Sequence, residues 1–406
     1  MSTLFGWWEQ APPRARRALA AGFGGWMLDA FDVQLFALIL SAVLADLGLP
    51  KQTGGLLVSA TLVAAAAGGL LFGFIADRYG RRPALIASVL LYSIFTGACG
   101  FATSVTMLFV FRVLLGLGMG GEWAAGAALV SETWPTEHRG KALGFMQSAW
   151  AVGYALAALV TMLMLDRWGW RAVFFVGVLP ALFIVWVQQR VEEPEIWQAR
   201  RRAAVAPGAR GRFTDIFRGR LLPLTIAVTL MNACTLFAWW GFNTWVPAYL
   251  RDIGFSTQAM STMIIVNQVG MWFGYVTFGF ISDAVGRKRA YVVYLLAAAL
   301  LLVLYASTSQ VLVLLALGPL VAFFGTGYFS GFGAITAEIY PTDIRATAQG
   351  FTYNIGRVVS AAAPFTVASL AQSHGFGAAF TVAAGAFVLA AFVWIWIPET
   401  RGRTLE

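Results

Sequence analysis

The chain alternates long apolar stretches with short breaks rich in Gly, Pro and Arg. Residues 376–398, for example, contain no charged side chain. Runs of roughly 17–25 apolar residues are long enough to cross a hydrocarbon core of about 30 Å as helices. The pattern predicts helices at about 18–44, 53–76, 83–103, 106–131, 140–164, 171–190, 221–250, 259–282, 290–307, 311–336, 346–371 and 376–397. Pro and Gly inside these spans are no objection, because membrane helices tolerate both. The expected fold is an all-α membrane protein with twelve transmembrane helices in two pseudo-symmetric six-helix bundles. The bundles are 1–190 and 221–406, joined by a basic cytoplasmic linker at 191–220.

Composition narrows the class. Of 406 residues, 59% are hydrophobic and 12% are charged, against about 25% charged in a soluble domain. A soluble protein of two or three domains is excluded. The N-terminus, with Arg14, Arg16 and Arg17 before an apolar stretch holding two Asp, does not read as a cleavable signal. Cys99 and Cys234 both lie in apolar stretches, so neither a disulfide framework nor a metal site is expected. No Gly-x-x-x-x-Gly-Lys-Ser/Thr phosphate loop occurs. No cofactor is expected.

The net charge of +9 could suggest nucleic acid, but its placement argues otherwise. Odd-numbered connections hold only Lys51, Arg167, Arg171 and Arg251, and predicted helices hold Arg112 and Arg357. All other Lys and Arg fall at the termini and in even-numbered connections. The positive-inside rule then puts both termini in the cytoplasm, in keeping with a bacterial inner membrane. The linker, with Arg200, Arg201, Arg202, Arg210 and Arg212 among others, reads as a solvated basic loop; lipid head-group contact is the sharper alternative.

The two halves repeat. Gly73, Asp77, Gly80 and Arg81, after the second predicted helix, recur as Gly279, Asp283, Gly286 and Arg287 after the eighth, offset by 206. Glu132, Pro135, Arg139, Gly144 and Phe145 recur as Glu338, Pro341, Arg345, Gly350 and Phe351 at the same offset. Internal repeats of helices mark secondary transporters, whose substrate sits near the midplane between repeats. The run Gly-x-x-x-Asp-x-x-Gly-Arg-Arg/Lys in both halves resembles the signature of the major facilitator superfamily. The resemblance implies alternating access, with the motif residues as latches on the cytoplasmic side. In physical terms, Gly73 and Gly279 permit close helix approach. Asp77 and Asp283 can meet an Arg or a helix N-terminus, and Gly80 and Gly286 permit a tight turn. The four residues Glu132, Arg139, Glu338 and Arg345 read as gate or structural ion pairs.

Ionisable residues inside the membrane are costly and mark function by default. Asp29 and Asp32 share a face of the first predicted helix. Two close carboxylates in a low dielectric resist being ionised together, so the pair is a candidate proton carrier, as is Glu122. Arg357 lies about 16 Å into its helix and needs an anion there: a substrate carboxylate, or Asp29 or Asp32. Arg112 matches the superfamily's helix-4 Arg motif, which implies a role in coupling or packing. Arg112 and Glu122 lie about 15 Å apart along one helix, too far to pair. In the second half Gly318 and Tyr328 take their places.

Polar and aromatic candidates for substrate contact are Gln147, Tyr154, Asn232, Trp240, Asn243, Asn267, Gln268, Tyr328, Tyr353 and Asn354. A few polar groups among aromatics suit a small organic anion. The run Gly120-Gly121-Glu122-Trp123, with Asp29 and Asp32, resembles the sialate:proton and related metabolite:proton symporters and the aromatic acid:proton symporters. Both imply import of a monocarboxylate, sialate or aromatic acid with protons by a protein that works as a monomer. Lactate permeases of the sialate group carry His, Gln and Asp where this chain has Leu236, Trp239 and Trp240, although Asn232, Thr235 and Thr244 keep the register. That departure argues against lactate and moves proton coupling towards the first helix. A proton-antiport exporter of drugs or metabolites, and a sugar or zwitterion transporter, are the competing readings; Arg357 counts against a cation exporter. No catalytic constellation stands out, so an enzyme is not expected.

Overall fold

The computed structural model describes residues 6–9, 11–135, 138–193, 213–341 and 344–401. Among these, helix is the only regular secondary structure. The first half holds α1 (Pro13–Asp46), α2 (Lys51–Tyr79), α3 (Arg81–Cys99), α4 (Val105–Thr133), α5 (Arg139–Val176) and α6 (Pro180–Arg190). The second holds α7 (Leu221–Asn243), α8 (Val246–Asp252), α9 (Thr257–Val285), α10 (Arg287–Ala306), α11 (Val311–Thr326), α12 (Phe332–Ile339), α13 (Arg345–Ser360) and α14 (Ala362–Val393). Of the linker, residues 194–212 lie outside the described residues; a short 3-10 turn, Phe213–Phe217, follows them.

Among the described residues, ten stretches are long and apolar enough to cross a membrane. Two of them, Lys141–Val187 and Ala348–Val393, run to 47 and 46 residues. As straight helices these would reach about 70 Å, more than twice the hydrocarbon thickness. Each is broken at a glycine of positive φ, Gly169 (74°) and Gly375 (81°), a conformation that side chains with a Cβ rarely adopt. These two glycines are 206 residues apart, as are Gly48 and Gly254 and the motif pair Gly80 (123°) and Gly286 (100°). The repeat is thus a repeat of turns as well as of motifs.

Helix contacts repeat too. A Cβ on Gly68 would strike the carbonyl of Leu117, where α2 crosses α4. At the equivalent crossing of α9 and α11, a Cβ on Gly274 would lie 2.5 Å from the carbonyl of Phe323. Small residues let membrane helices meet backbone to backbone, which lipid alone does not drive.

The predicted helices need four local corrections. The sixth breaks at Gly177–Leu179, the seventh at Thr244–Trp245, the tenth passes through a 3-10 turn at Gly327–Gly331, and the eleventh is interrupted at Ala361. Wide exposure of apolar side chains, such as Leu70, Leu182, Leu312 and Phe280, fits a surface facing lipid.

At the end away from the Gly-x-x-x-Asp motifs the two halves close on one another. Lys51 pairs with Asp252, and the Thr257 hydroxyl donates to Asp166 at 2.7 Å. A Cβ on Gly55 would lie 2.7 Å from the Pro364 carbonyl. At the motif end, four repeat-related glycines have open space instead. A Cβ on Gly73, Gly144, Gly279 or Gly350 would meet nothing within 4 Å. Among the described residues, no close approach is made at Gly73 or Gly279 in this arrangement.

Candidate functional site

Asp29, Asp32, Arg112, Glu122 and Arg357 lie buried in membrane-spanning stretches. Asp29, Asp32, Arg112 and Glu122 are 0–1% exposed, and Arg357 is 5% exposed. All but Arg357 come from the first half, on α1 and α4.

Asp29 and Asp32 face different surroundings. The Thr96 hydroxyl of α3 donates to Asp32 at 3.2 Å, and the charges that reach Asp32 are those of Asp29 and Arg112. The Arg112 guanidinium stands 4.0 Å over the ring of Phe36, a cation–π contact strengthened by the absence of water. Its Nε and one Nη meet no acceptor among the described residues. Neither oxygen of Asp29 has a hydrogen-bond partner among them; the cation whose charge reaches it is Arg357, from the opposite half.

Two glycines shape the surroundings of these groups. A Cβ on Gly25 would strike Glu122 Oε1, and one on Gly126 would lie 3.3 Å from it, so both glycines leave room for the Glu122 carboxylate in this position. Its oxygens have no partner among the described residues, and its charged neighbour is Asp29. In the second half, a Cβ on Gly356 would be 2.8 Å from Asn232 Cβ and 2.9 Å from Ala233 N. That close approach seats α13 against α7 and carries Arg357 inward.

The predicted lining residues divide into groups. Gln147 of α5, across the halves, and Thr326 are the polar side chains beside the Tyr275 hydroxyl of α9. Tyr353 feels the charges of both Arg357 and Asp29. Asn354 Nδ2 donates to the Gly350 carbonyl at 2.9 Å, and its Oδ1 faces Gly69 of the other half. Trp150 and Trp240 meet edge to face, 6.2 Å apart, and Trp26 lies 4.8 Å from Trp150. Asn232, Asn243, Gln268 and Tyr154 are buried, each with a polar atom unpartnered among the described residues.

Asn267 and Tyr328 lie within the second half. Asn267 bonds Tyr305 and occupies the space beside Gly318, where the first half has Arg112. Tyr328 is packed among Tyr291, Phe329 and Phe387 inside the second half. A shallow apolar cavity of about 300 Å³ near Phe255, Ala259, Val311 and Leu315 contains none of these groups.

The motif residues form two matching networks. Arg81 donates to Glu132 at 2.8 Å, and Arg287 donates to Glu338 at 3.3 Å and pairs with Asp283 at 2.6 Å. Each pair lies within one half. The side chains of Asp77, Arg139 and Arg345 lie outside the described residues. Sequence reasoning missed Glu193, which accepts the backbone N–H groups of Arg81 and Arg82 at 2.9 and 2.8 Å. It stands 206 residues before Glu399, so the offset already used for the motifs would have found it. Trp26, Thr96 and Tyr275 were also missed; their side-chain types carry no signal without the packing.

The profile of the Major Facilitator Superfamily matches residues 22–271 and 228–406. The chain belongs to the major facilitator superfamily. It is an integral, multi-pass membrane protein with the two-half fold of that superfamily. It is 33% identical to the protein named "Probable 4-methylmuconolactone transporter" of Cupriavidus pinatubonensis, covering 99% of this chain and 95% of that one. It is 31% identical to the sialic acid transporter NanX of Escherichia coli, covering 94% and 93%. Among solved structures it resembles the D-xylose-proton symporter, with a TM-score of 0.79 at 20% identity over 97% of this chain and all of that one. That last likeness concerns the fold.

Proposed function

We propose that this protein imports a small organic anion by proton symport through alternating access. The observation that carries the reading is Arg357, buried on one half, whose charge reaches Asp29, buried on the other. The guanidinium matches a carboxylate in bidentate geometry. A substrate carboxylate and Asp29 compete for it. When the substrate takes Arg357, Asp29 loses its counter-charge and takes up a proton, since an unpaired buried carboxylate is far costlier than a neutral acid. Anion and proton are then bound together. The relatedness to a sialic acid transporter supports a carboxylate cargo.

In this reading the breaks at Gly169 and Gly375 divide the two long spans, giving twelve crossings. Both termini face the cytoplasm of a bacterial inner membrane, and the monomer is the working unit. The closure through Lys51–Asp252 then seals the outer side, and the open space beside Gly73, Gly144, Gly279 and Gly350 belongs to an inward-facing state. Glu122 is a second proton site, and Arg112 holds the charge of Asp32. Gln147, Tyr353, Asn354 and Trp240 contact the substrate, with Asn232, Asn243, Gln268 and Tyr154 around it. Arg81, Glu132, Arg287 and Glu338 brace the inner gate.

The test is uptake into proteoliposomes with and without an inward proton gradient, using labelled lactate, pyruvate, sialic acid, benzoate and nicotinate, with glucose as the neutral control. Gradient-stimulated uptake of an acid that is lost in Arg357→Ala is the expected result. Uptake of glucose or a cation, with no acid transported, overturns it.

A further inference from the structure

We propose that Gly69 sets how bulky an acid can lie against Arg357, by keeping open one of two repeat-related contacts between the halves. The proposal rests on the reading of Arg357 as the anchor for a substrate carboxylate. It adds a residue that limits the size of the rest of the molecule.

The repeat makes the position stand out. Gln147 and Tyr353 are 206 residues apart, as are Ser148 and Asn354, and Gly69 and Tyr275. These residues make two cross-half contacts in matching places. On one side Gln147 of α5 stands beside the Tyr275 hydroxyl of α9. On the other, Asn354 of α13 directs its Oδ1 at α2, 3.3 Å from where a Cβ on Gly69 would lie. A phenol that is 4% exposed fills the first contact. A glycine leaves the second without a side chain, and both Gly69 and Asn354 are only half-buried.

Packing between α2 and α4 does not account for this glycine. Cβ atoms on Gly68, Gly116 and Gly120 would lie 2.0, 2.5 and 1.8 Å from backbone carbonyls of the facing helix, so those three must be small. A Cβ on Gly69 would stand 3.4 Å from the Gly120 carbonyl, an ordinary contact; its tight neighbour is the Asn354 amide. The missing side chain therefore makes room for the opposite half. Asn354 is tethered from its own helix, where Nδ2 donates to the Gly350 carbonyl at 2.9 Å. Asn354 and Arg357, at i and i+3, share a face of α13. A methyl group at position 69 crowds that amide and takes space from whatever lies on the same face beside Arg357.

Uptake kinetics in proteoliposomes with pyruvate, benzoate and sialic acid test this. For the bulkiest acid that the wild type takes up, Gly69→Ala should raise KM about tenfold, and Gly69→Val should raise it further, the usual penalty for an added methyl group in a fitted site. KM for pyruvate and kcat for both acids should hardly change. The loss caused by Gly69→Ala should shrink in the Asn354→Ser background, where the shorter side chain no longer meets the added Cβ. An equal rise in KM for every acid, or a fall in kcat at unchanged KM, overturns the proposal and marks a packing or gating role. The same loss with and without Asn354→Ser overturns it too, as does wild-type uptake of pyruvate alone. Any of these results alongside acid uptake that needs Arg357 leaves the proposed function standing. Transport of glucose with no acid transported removes both.

Discussion

Glu399 holds the start of α10 as Glu193 holds the start of α3. Glu399 accepts the backbone N–H groups of Arg287 and Lys288 at 2.9 and 3.2 Å, and Glu193 those of Arg81 and Arg82 at 2.9 and 2.8 Å. A helix begins with N–H groups that have no partner within it, and an anion there also meets the positive end of the helix dipole. Each carboxylate thus ties the last described part of its half back to the turn at Gly80 or Gly286. Thr400 extends the second network by donating to Glu338 at 2.5 Å.

This arrangement has a pH signature. Partial burial raises the Glu399 pKa, but the backbone N–H groups of Arg401, Arg287, Lys288 and Thr400 outweigh it and hold the carboxyl below its usual range. A carboxyl with a lowered folded pKa contributes stability above its unfolded pKa, about 4.3, and loses it as pH falls through the folded value. In detergent, Glu399→Gln should lower the Tm at pH 7, and the gap from wild type should close as the pH is taken below about 4. A gap that stays constant across that window counts against the assignment.

Asp29→Asn should separate transport from its driving force. The amide cannot take up a proton, yet it leaves Arg357 free for a substrate carboxylate. Exchange of labelled for unlabelled acid across a proteoliposome membrane should persist, while uptake driven by a proton gradient falls to background. Gradient-driven uptake near the wild-type rate would move the proton carrier away from Asp29.

Arg112 and Asp32 should depend on one another. Removing one partner of a buried charge pair strands the other, at a cost of about 3–5 kcal/mol. Arg112→Met should therefore lower thermal stability, and Arg112→Met with Asp32→Leu should recover much of the loss. Additive losses in the double variant, read from melting curves in one detergent, would show that the two residues act separately.

Gly68→Val should stop the first half from packing. Its side chain would meet the Leu117 backbone, which cannot move aside as a flexible side chain could. The expected outcome is aggregation on size-exclusion chromatography. Gly73→Ala, where a Cβ would meet nothing within 4 Å, should remain monodisperse.

The membrane class and the two-fold repeat were legible in the sequence. Hydrocarbon thickness fixes how long an apolar run must be, and the 206-residue offset needs only matching residue types at two positions. The intramembrane charges were legible for the same reason, since a charge in an apolar run stands out whatever the packing. Helix breaks were less legible. Thr244, Ala361 and the turn at Gly327–Gly331 lie in stretches that remain apolar, so composition does not change where the backbone does.

Pairing was decided by tertiary structure. The sequence left Arg357 between Asp29 and Asp32; the fold brings Asp29 under the charge of Arg357, while Asp32 takes the Thr96 hydroxyl and the charge of Arg112. Two carboxylates three residues apart share a helix face, and only the helices packed around that face separate their partners. The Trp26–Trp150–Trp240 group has the same origin. Tryptophan is used freely in lipid-facing belts and in helix contacts, so its presence alone says little. The close approach of α5 to α1 at Gly153 seats the helix that carries Trp150, and that of α13 to α7 at Gly356 seats the helix that carries Arg357. The sequence by itself determined that this chain spans the membrane as two related halves with charges inside, because burial in lipid acts on each segment separately. Which charge faces which was decided by the tertiary structure, because that depends on distances between segments far apart in the chain.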